Sequence, residues 1–132
     1  MSKQHISWPE NEQKKYAKLG YWQSESLPEL LQQLASKYGK KTAVIDQDIH
    51  LSYQALNDEV LSLASGFHKL GISDGNRVLV QLPNSYEFIA VCFALHWLGA
   101  LPVLIMPAQR QHDISTLCQL SEAIAYIVPD KF

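Results

Sequence analysis

The apolar residues between positions 77 and 107 predict a strand, a helix and a second strand. Residues 78–80 and 101–106 are short apolar runs without polar alternation, which is typical of parallel strands buried on both faces. The helix is predicted over residues 86–98, and a connection of this length suits a parallel pair of strands. The pattern therefore indicates a β-α-β unit at the centre of the chain.

Polar and special residues mark the ends of this helix. Asn84 or Ser85 can cap its start, and Glu87 lies three residues after Asn84, the spacing of a capping box. Gly99 follows the last helical residue, where a left-handed turn is easiest without a Cβ. Pro102 then prevents the helix from resuming. We therefore expect the helix to begin with a capping box and to end at Gly99.

The central helix is apolar all the way round, because only Glu87 and His96 are strongly polar within it. A helix that covers one face of a sheet needs only an apolar stripe. We therefore expect an exposed apolar patch on residues 85–98, through which the chain would self-associate unless the N-terminal residues fold over it. The residues concerned are Tyr86, Phe88, Ile89, Val91, Phe93, Leu95, Trp97 and Leu98.

Four further elements are predicted before the central unit. A helix over residues 10–19 follows Pro9 and ends at Gly20, and the segment around it carries Trp8, Tyr16, Tyr21 and Trp22. A second helix begins at Ser26, ends at Gly39 and bears the apolar stripe Leu27, Leu30, Leu31, Leu34 and Tyr38. Residues 42–45 and 49–51 predict a hairpin, and Ser52 caps a long helix with the stripe Leu56, Val60, Leu63, Phe67 and Leu70.

The last third of the chain continues the alternation of helix and strand. Ile114, Leu117, Cys118 and Ser121 mark one helical face, and residues 123–128 form a third β-rich run. The three candidate parallel strands begin about 23 residues apart. The fold class is therefore α/β, with N-terminal helices and a β-hairpin before a parallel β-α-β-α-β unit.

Composition adds few constraints on partners. The 132 residues allow one small domain, and a net charge of -2 gives no electrostatic reason to expect nucleic acid or an acidic membrane. The lysines at positions 14, 15, 18, 40 and 41 are interpreted as solvated surface. Cys92 and Cys118 lack C-x-x-C spacing, and no signal or membrane-spanning run is present, so we expect a cytoplasmic protein with reduced thiols.

No catalytic constellation can be assembled from these residues. The six glycines form neither a G-x-x-x-x-G-K-[ST] nor a G-x-G-x-x-G loop. Ser85 lacks the glycines of a nucleophile elbow. Asp46, Asp48 and His50 could suggest a metal site, but two carboxylates on a tight hairpin are more often turn formers. His96 is interpreted as an interior or interface histidine. We therefore assign no catalytic, cofactor-binding or metal-binding residue.

Three segments nevertheless resemble the adenylate-forming ligases, the superfamily of acyl-CoA synthetases, luciferases and peptide-synthetase adenylation domains. Residues 51–56, LSYQAL, are similar to the first core motif of that superfamily, and residues 97–103, WLGALPV, to the second. Residues 75–78 and 81–85, GNRV and QLPNS, are similar to the segment between the two motifs. The resemblance covers essentially the whole chain and implies the fold of the large N-terminal domain of these enzymes.

Within the superfamily the chain most resembles the stand-alone ligases that activate 2,3-dihydroxybenzoate or salicylate for siderophores. The aromatic arm, the segment QLPNSYEF over residues 81–88 and the tail over residues 107–130 carry this similarity. One departure is residues 108–110, AQR, where the family more often has His before Arg. The alternatives are an acyl-CoA or amino-acid-activating ligase, and a non-catalytic α/β interaction module.

The resemblance implies ATP- and Mg²⁺-dependent formation of an aryl-AMP, with transfer of the aryl group to the phosphopantetheine thiol of a carrier protein. It also implies that the phosphate loop, the aryl pocket and the catalytic lysine lie beyond residue 132, so that no cofactor binds here and this chain alone is inactive. The expected organisation is an aromatic arm over residues 1–25 and an incomplete α/β subdomain over residues 26–132, roughly the first quarter of such an enzyme.

Overall fold

The structure, a computed structural model, describes residues 8–130, so predictions on residues 1–7 and 131–132 lie outside it. The helices and strands follow one another in the order that the sequence predicts. In chain order the elements are α1 (Glu10–Lys18), α2 (Leu27–Tyr38), β1 (Thr42–Asp46), β2 (Ile49–Ser52), α3 (Tyr53–Lys69), β3 (Arg77–Val80), α4 (Tyr86–Trp97), β4 (Leu101–Leu104), α5 (Gln111–Ser121) and β5 (Ala125–Ile127).

The parallel sheet has the order β4-β3-β5, with β3 in the centre. Leu79 pairs with Val103 on one side and with Tyr126 on the other, and both pairings are parallel. Val78, Leu79 and Val80 are fully buried, as the continuous apolar run predicts for a strand covered on both faces. The parallel β-α-β-α-β unit is therefore confirmed.

Helix α4 lies between the sheet and a layer formed by α2 and α3. Its Ala90 and Ala94 belong to one apolar cluster with Leu31, Leu56, Val60 and Ala64. Its Val91 and Leu95 belong to a second cluster with Ile72, Val78, Val80 and Ala100. Small side chains on both α3 and α4 allow these two helices to pack closely.

The expected apolar patch on residues 85–98 is therefore wrong. Glu87 is the only residue of α4 that is exposed, and none of the eight apolar residues named for the patch is among the exposed ones. Helices α2 and α3 of this chain pack on the side of α4 that faces away from the sheet. Of the eight residues named for the patch, Val91 and Leu95 are buried and the other six are partly buried.

The hairpin has a tight connection because Asp46 pairs directly with Ile49. Gln47, the first of the two connecting residues, has a φ of 51°, in the left-handed region that tight hairpin turns use. The strand pairing is irregular between Thr42 and Val44. The chain then passes directly into α3, where the Ser52 hydroxyl accepts a hydrogen bond from the Ala55 amide at 3.1 Å, as predicted.

The predicted capping box at the start of α4 does not form. Ser85 is the N-cap residue by position, but its side chain makes no capping hydrogen bond. Instead the Tyr86 amide donates to the Asp46 carboxylate at 3.0 Å, across 40 residues of sequence. A carboxylate at a helix N-terminus satisfies a free amide and opposes the positive end of the helix dipole. The hairpin turn therefore caps the central helix.

The aromatic side chains of the N-terminal arm pack on one another. Ring centroids of Trp8 and Trp22 lie 6.0 Å apart, and those of Tyr16 and Trp22 lie 5.7 Å apart. Trp8, Tyr21 and Trp22 remain exposed over 60%, 72% and 42% of their surface. The aromatic packing seen in the described residues of the arm is therefore within the arm itself.

The stripe predicted for α2 is only half buried. Leu31 is buried and Leu34 is partly buried, whereas Leu27 and Leu30 are exposed. The start of α2 carries the capping box that the sequence places elsewhere: Ser26 Oγ accepts from the Glu29 amide, and Glu29 Oε2 accepts from the Ser26 amide. Helix α2 is therefore fixed at its start and packs on α3 and α4 along one side.

Candidate functional site at the carboxyl edge of the parallel sheet

The carboxyl ends of β3 and β4 form a topological switch point. The chain runs from β3 through α4 to β4 on one side, and then through α5 to β5 on the other side of β3. Because such connections are right-handed, the reversal places α4 and α5 on opposite faces of the sheet. In open α/β sheets, ligands bind in the crevice that this reversal leaves outside the carboxyl ends. This edge is therefore the candidate site.

Gln81 fills the crevice between the two strand ends. It directly follows β3 and is only 1% exposed. Its Nε2 donates toward the carbonyl oxygens of Met106 at 3.0 Å, Pro107 at 3.3 Å and Gln109 at 2.9 Å. Its Oε1 accepts a hydrogen bond from the hydroxyl of Tyr126. Tyr126 belongs to β5, which lies on the other side of β3 from β4. One buried amide thus joins all three parallel strands at their carboxyl edge.

A cleft of about 450 Å³ opens beside Gln81 and is called the Gln81 cleft here. Its lining combines amide and hydroxyl groups with one guanidinium, one aromatic ring and the aliphatic side chain of Ile114, and such mixtures of apolar and polar groups occur in small-molecule sites. Partial burial raises the pKa of Tyr126, so its phenol remains a hydrogen-bond donor at neutral pH. The lining residues are Gln81, Gln109, Arg110, Gln111, Ile114, Ser115 and Tyr126.

A second cleft, of about 650 Å³, lies between the hairpin turn and the loop after β3. Four carboxylates line it, those of Asp46, Asp48, Glu87 and Asp130. The nearby Ser85 hydroxyl lowers the pKa of Glu87, and the charge of Glu87 in turn raises the pKa of Tyr86. This cleft is acidic and does not suit a phosphate or a carboxylate ligand.

The residues considered for chemistry in the sequence do not converge on one site. Asp46 caps α4, while Asp48 and His50 are exposed on the hairpin. His96 is partly buried near the end of α4, as expected, and His68 and His112 are exposed. Both cysteines within the described residues are free and partly buried, and burial raises the pKa of the Cys92 thiol.

A metal site is not formed by the described residues. Within residues 8–130 no group of three or more His, Cys, Asp and Glu side chains is arranged to hold a metal ion. No helix in the same range is long and apolar enough to cross a bilayer.

Sequence reasoning missed the two residues that organise the candidate site. The sequence places Gln81 in a similar motif and Tyr126 in a strand and in the similar tail, without indicating a role for either side chain. A signal for Gln81 was present, because an amide that directly follows three apolar strand residues is expected to be buried and hydrogen-bonded. No comparable signal marked Tyr126, whose partner lies 45 residues away.

Comparison with known proteins places this architecture in a family. The sequence model of the AMP-binding enzyme family matches residues 31–132. The chain is 44% identical to the 2,3-dihydroxybenzoate-AMP ligase of Bacillus subtilis over 132 residues, which are 100% of this chain and 24% of that protein. It is 38% identical to the vibriobactin-specific 2,3-dihydroxybenzoate-AMP ligase of Vibrio cholerae over 97% of this chain and 24% of that protein.

The fold comparison agrees with the sequence comparison. The apo structure of MbtA from Mycobacterium smegmatis superposes with a TM-score of 0.87 at 36% identity, over 93% of this chain and 23% of that one. The chain thus spans about a quarter of the length of these relatives and matches their N-terminal part. The family model covers more than half of the chain, and the chain belongs to the AMP-binding enzyme family.

Proposed function

We propose that this chain is the leading part of an ATP-dependent aryl-acid ligase that acts on 2,3-dihydroxybenzoate in siderophore biosynthesis. The observation that carries the proposal is the 44% identity to a 2,3-dihydroxybenzoate-AMP ligase along the whole chain. The match includes the aromatic arm, which lies outside the residues matched by the general family model. Similarity that extends into this arm supports the aryl-acid branch over the other branches of the family.

The proposed reaction has two steps. A carboxylate oxygen of the aromatic acid attacks the α-phosphorus of ATP, which forms the aryl-AMP and releases pyrophosphate. The phosphopantetheine thiol of an aryl carrier protein then attacks the acyl carbonyl, so that a thioester forms while AMP and the thiol proton leave. Such chemistry depends on positioning and on neutralising phosphate charge, for which ATP-using enzymes employ Mg²⁺.

The residues of this chain do not fit an ATP or Mg²⁺ site. The sequence contains no glycine-rich phosphate loop, and the described residues form no metal-binding group. We therefore assign no chemical step to them. Their proposed contribution is a scaffold: residues 26–132 form part of an α/β subdomain, residues 1–25 form an aromatic arm, and the enzyme operates in the cytoplasm.

The test is pyrophosphate exchange by an enzyme of the relatives' full length that begins with this chain. We expect exchange with 2,3-dihydroxybenzoate or salicylate to exceed exchange with a long-chain fatty acid or a free amino acid. A preference for either of the latter would contradict the aryl-acid proposal and leave the family assignment intact. An enzyme without added acid supplies the background.

The same assay applied to the purified 132-residue chain should give no exchange above the background. The physical reason is that the sequence contains no glycine-rich phosphate loop and that residues 8–130 form no group to hold a charge-neutralising metal ion. Exchange by this chain alone would contradict the proposal that its role is structural.

A further inference from the structure

The loop over residues 106–110 is stabilised mainly by hydrogen bonds to a residue outside the loop. Its internal bonds are the Met106 amide to Gln109 Oε1 at 2.9 Å and the Gln109 amide to the Met106 carbonyl at 3.0 Å. Met106, Pro107 and Arg110 are exposed, so apolar packing does little to fix them. Three of the loop carbonyls turn inward instead and converge on the single amide nitrogen of Gln81.

The position of Gln81 is fixed independently of the loop. Its backbone amide donates to the Ile127 carbonyl at 2.9 Å, and its Oε1 accepts from the Tyr126 hydroxyl. An amide has two N–H donors and a carbonyl oxygen, and both ends of the Gln81 amide are hydrogen-bonded while the residue is only 1% exposed. The side chain therefore fixes the loop that begins just after β4 relative to β3 and β5.

From these contacts we propose that Gln81, held by Tyr126, is a positioning residue that sets the wall of the Gln81 cleft. Gln109 and Arg110 form that wall, and both belong to the loop that Gln81 holds. Loss of the Gln81 amide would leave the sheet intact and release the loop, because β3 and β4 remain joined by their backbone ladder. Its consequence for catalysis rests on the proposed ligase function.

The first measurement is hydrogen exchange on this chain, which does not depend on any activity. Gln81→Met keeps the length of the side chain and removes both hydrogen-bonding ends. Exchange at the Met106 and Gln109 amides should accelerate about tenfold or more, whereas the β3–β4 ladder amides should change much less. Unchanged protection at both loop amides would overturn the proposal, because the loop would then hold itself.

Two further variants keep the test decisive if Gln81→Met fails to fold. Tyr126→Phe removes only the hydroxyl that orients Gln81, and Gln81→Glu keeps an acceptor for Tyr126 while it replaces the donor that faces the three carbonyls. Both should accelerate loop exchange, Gln81→Glu by more. A folded Gln81→Glu with parental loop exchange would also overturn the proposal.

The second measurement is the effect of Gln81→Met on the exchange and transfer reactions of the longer enzyme. Since a misplaced wall disturbs the geometry of a site, kcat/KM of at least one step should fall about tenfold. Val60→Ala, a core substitution on the far side of α4, is the control for lost stability and should lose much less at the same temperature. Equal losses in the two variants would contradict the positioning role. An inactive parental enzyme would instead contradict the proposed function and leave the hydrogen-exchange result standing.

Discussion

The two helices that cross over the parallel sheet differ in how completely they are buried. Helix α4 has four buried residues and a single exposed one, Glu87. Helix α5 has no buried residue, and its Leu120 is 78% exposed. Both helices connect parallel strands of one three-stranded sheet, so their role as crossovers does not by itself account for the difference.

The cause is the layer behind each helix. Helices α2 and α3 pack on the outer side of α4, whereas among the described residues no element with comparable contacts lies over α5. A helix with one covered face needs only a stripe, and a helix with two covered faces must be apolar all round. The apolar residues on all sides of α4 thus indicate that a further layer, formed by α2 and α3, covers α4 on that face of the sheet.

The largest expected effect comes from Leu95, which is fully buried between α4 and the sheet. Leu95→Ala should lower the free energy of unfolding by about 3 kcal/mol, because it removes buried methyl groups and leaves a cavity. Leu120→Ala on α5 is the matched control and should change it by less than about 0.5 kcal/mol. Urea denaturation gives both values. Similar losses from the two variants would show that the two helices are equally embedded in solution.

A smaller loss is expected when the hairpin no longer caps α4. Asp46→Ala removes the acceptor for the Tyr86 amide and should destabilise the chain by about 1 kcal/mol, the usual value of an N-cap. Asp46→Asn keeps a side-chain oxygen and should lose less than half as much. Thermal unfolding of the two variants separates the effect of the capping hydrogen bond from general effects of the turn. An Asp46→Asn variant that loses as much stability as Asp46→Ala would argue against the cap.

A gain in stability is expected at Asn57 in the layer that covers α4. This residue is 8% exposed, and its Oδ1 has no hydrogen-bond partner among residues 8–130. A buried unpaired acceptor costs free energy, so Asn57→Leu should raise stability by about 1 kcal/mol. Chemical denaturation measures this value. A clear loss would indicate that Asn57 has a partner in solution.

The smallest effect concerns pH and the start of α2. Hydrogen bonds from the Ser26 amide and hydroxyl lower the pKa of Glu29 below 4.5. The folded state therefore binds this proton more weakly than the unfolded state, and the stabilisation is present above about pH 4.5 and lost as pH falls through the lowered pKa. Between pH 5 and 3, Glu29→Gln should show a smaller fall in Tm than the parental chain. Parallel curves would mean that the capping box does not persist.

Local patterns predict much of this fold because its elements are regular. The β-α-β unit, the Ser52 cap and the hairpin follow from short-range periodicity and turn residues. The failures are interactions between distant residues. Asp46 replaces the predicted cap of α4 from 40 residues away, and no periodicity reports that α2 and α3 cover this helix. For the candidate site, the apolar run before Gln81 predicts burial, but its partners depend on strand order.

Pro102 has a consequence for association between sheets. Strand β4 is an edge of the three-stranded sheet formed by the described residues, and its Leu101 and Ile105 amides point inward to β3. The backbone N–H and C=O positions of the alternate residues Pro102 and Leu104 therefore point away from β3, and Pro102 has no N–H to donate. An approaching strand would find one donor instead of two along this short edge. Pro102, which prevents α4 from continuing, therefore also makes this edge less able to pair with the strand of another molecule. Proline at an edge strand is a common way in which proteins avoid aggregation.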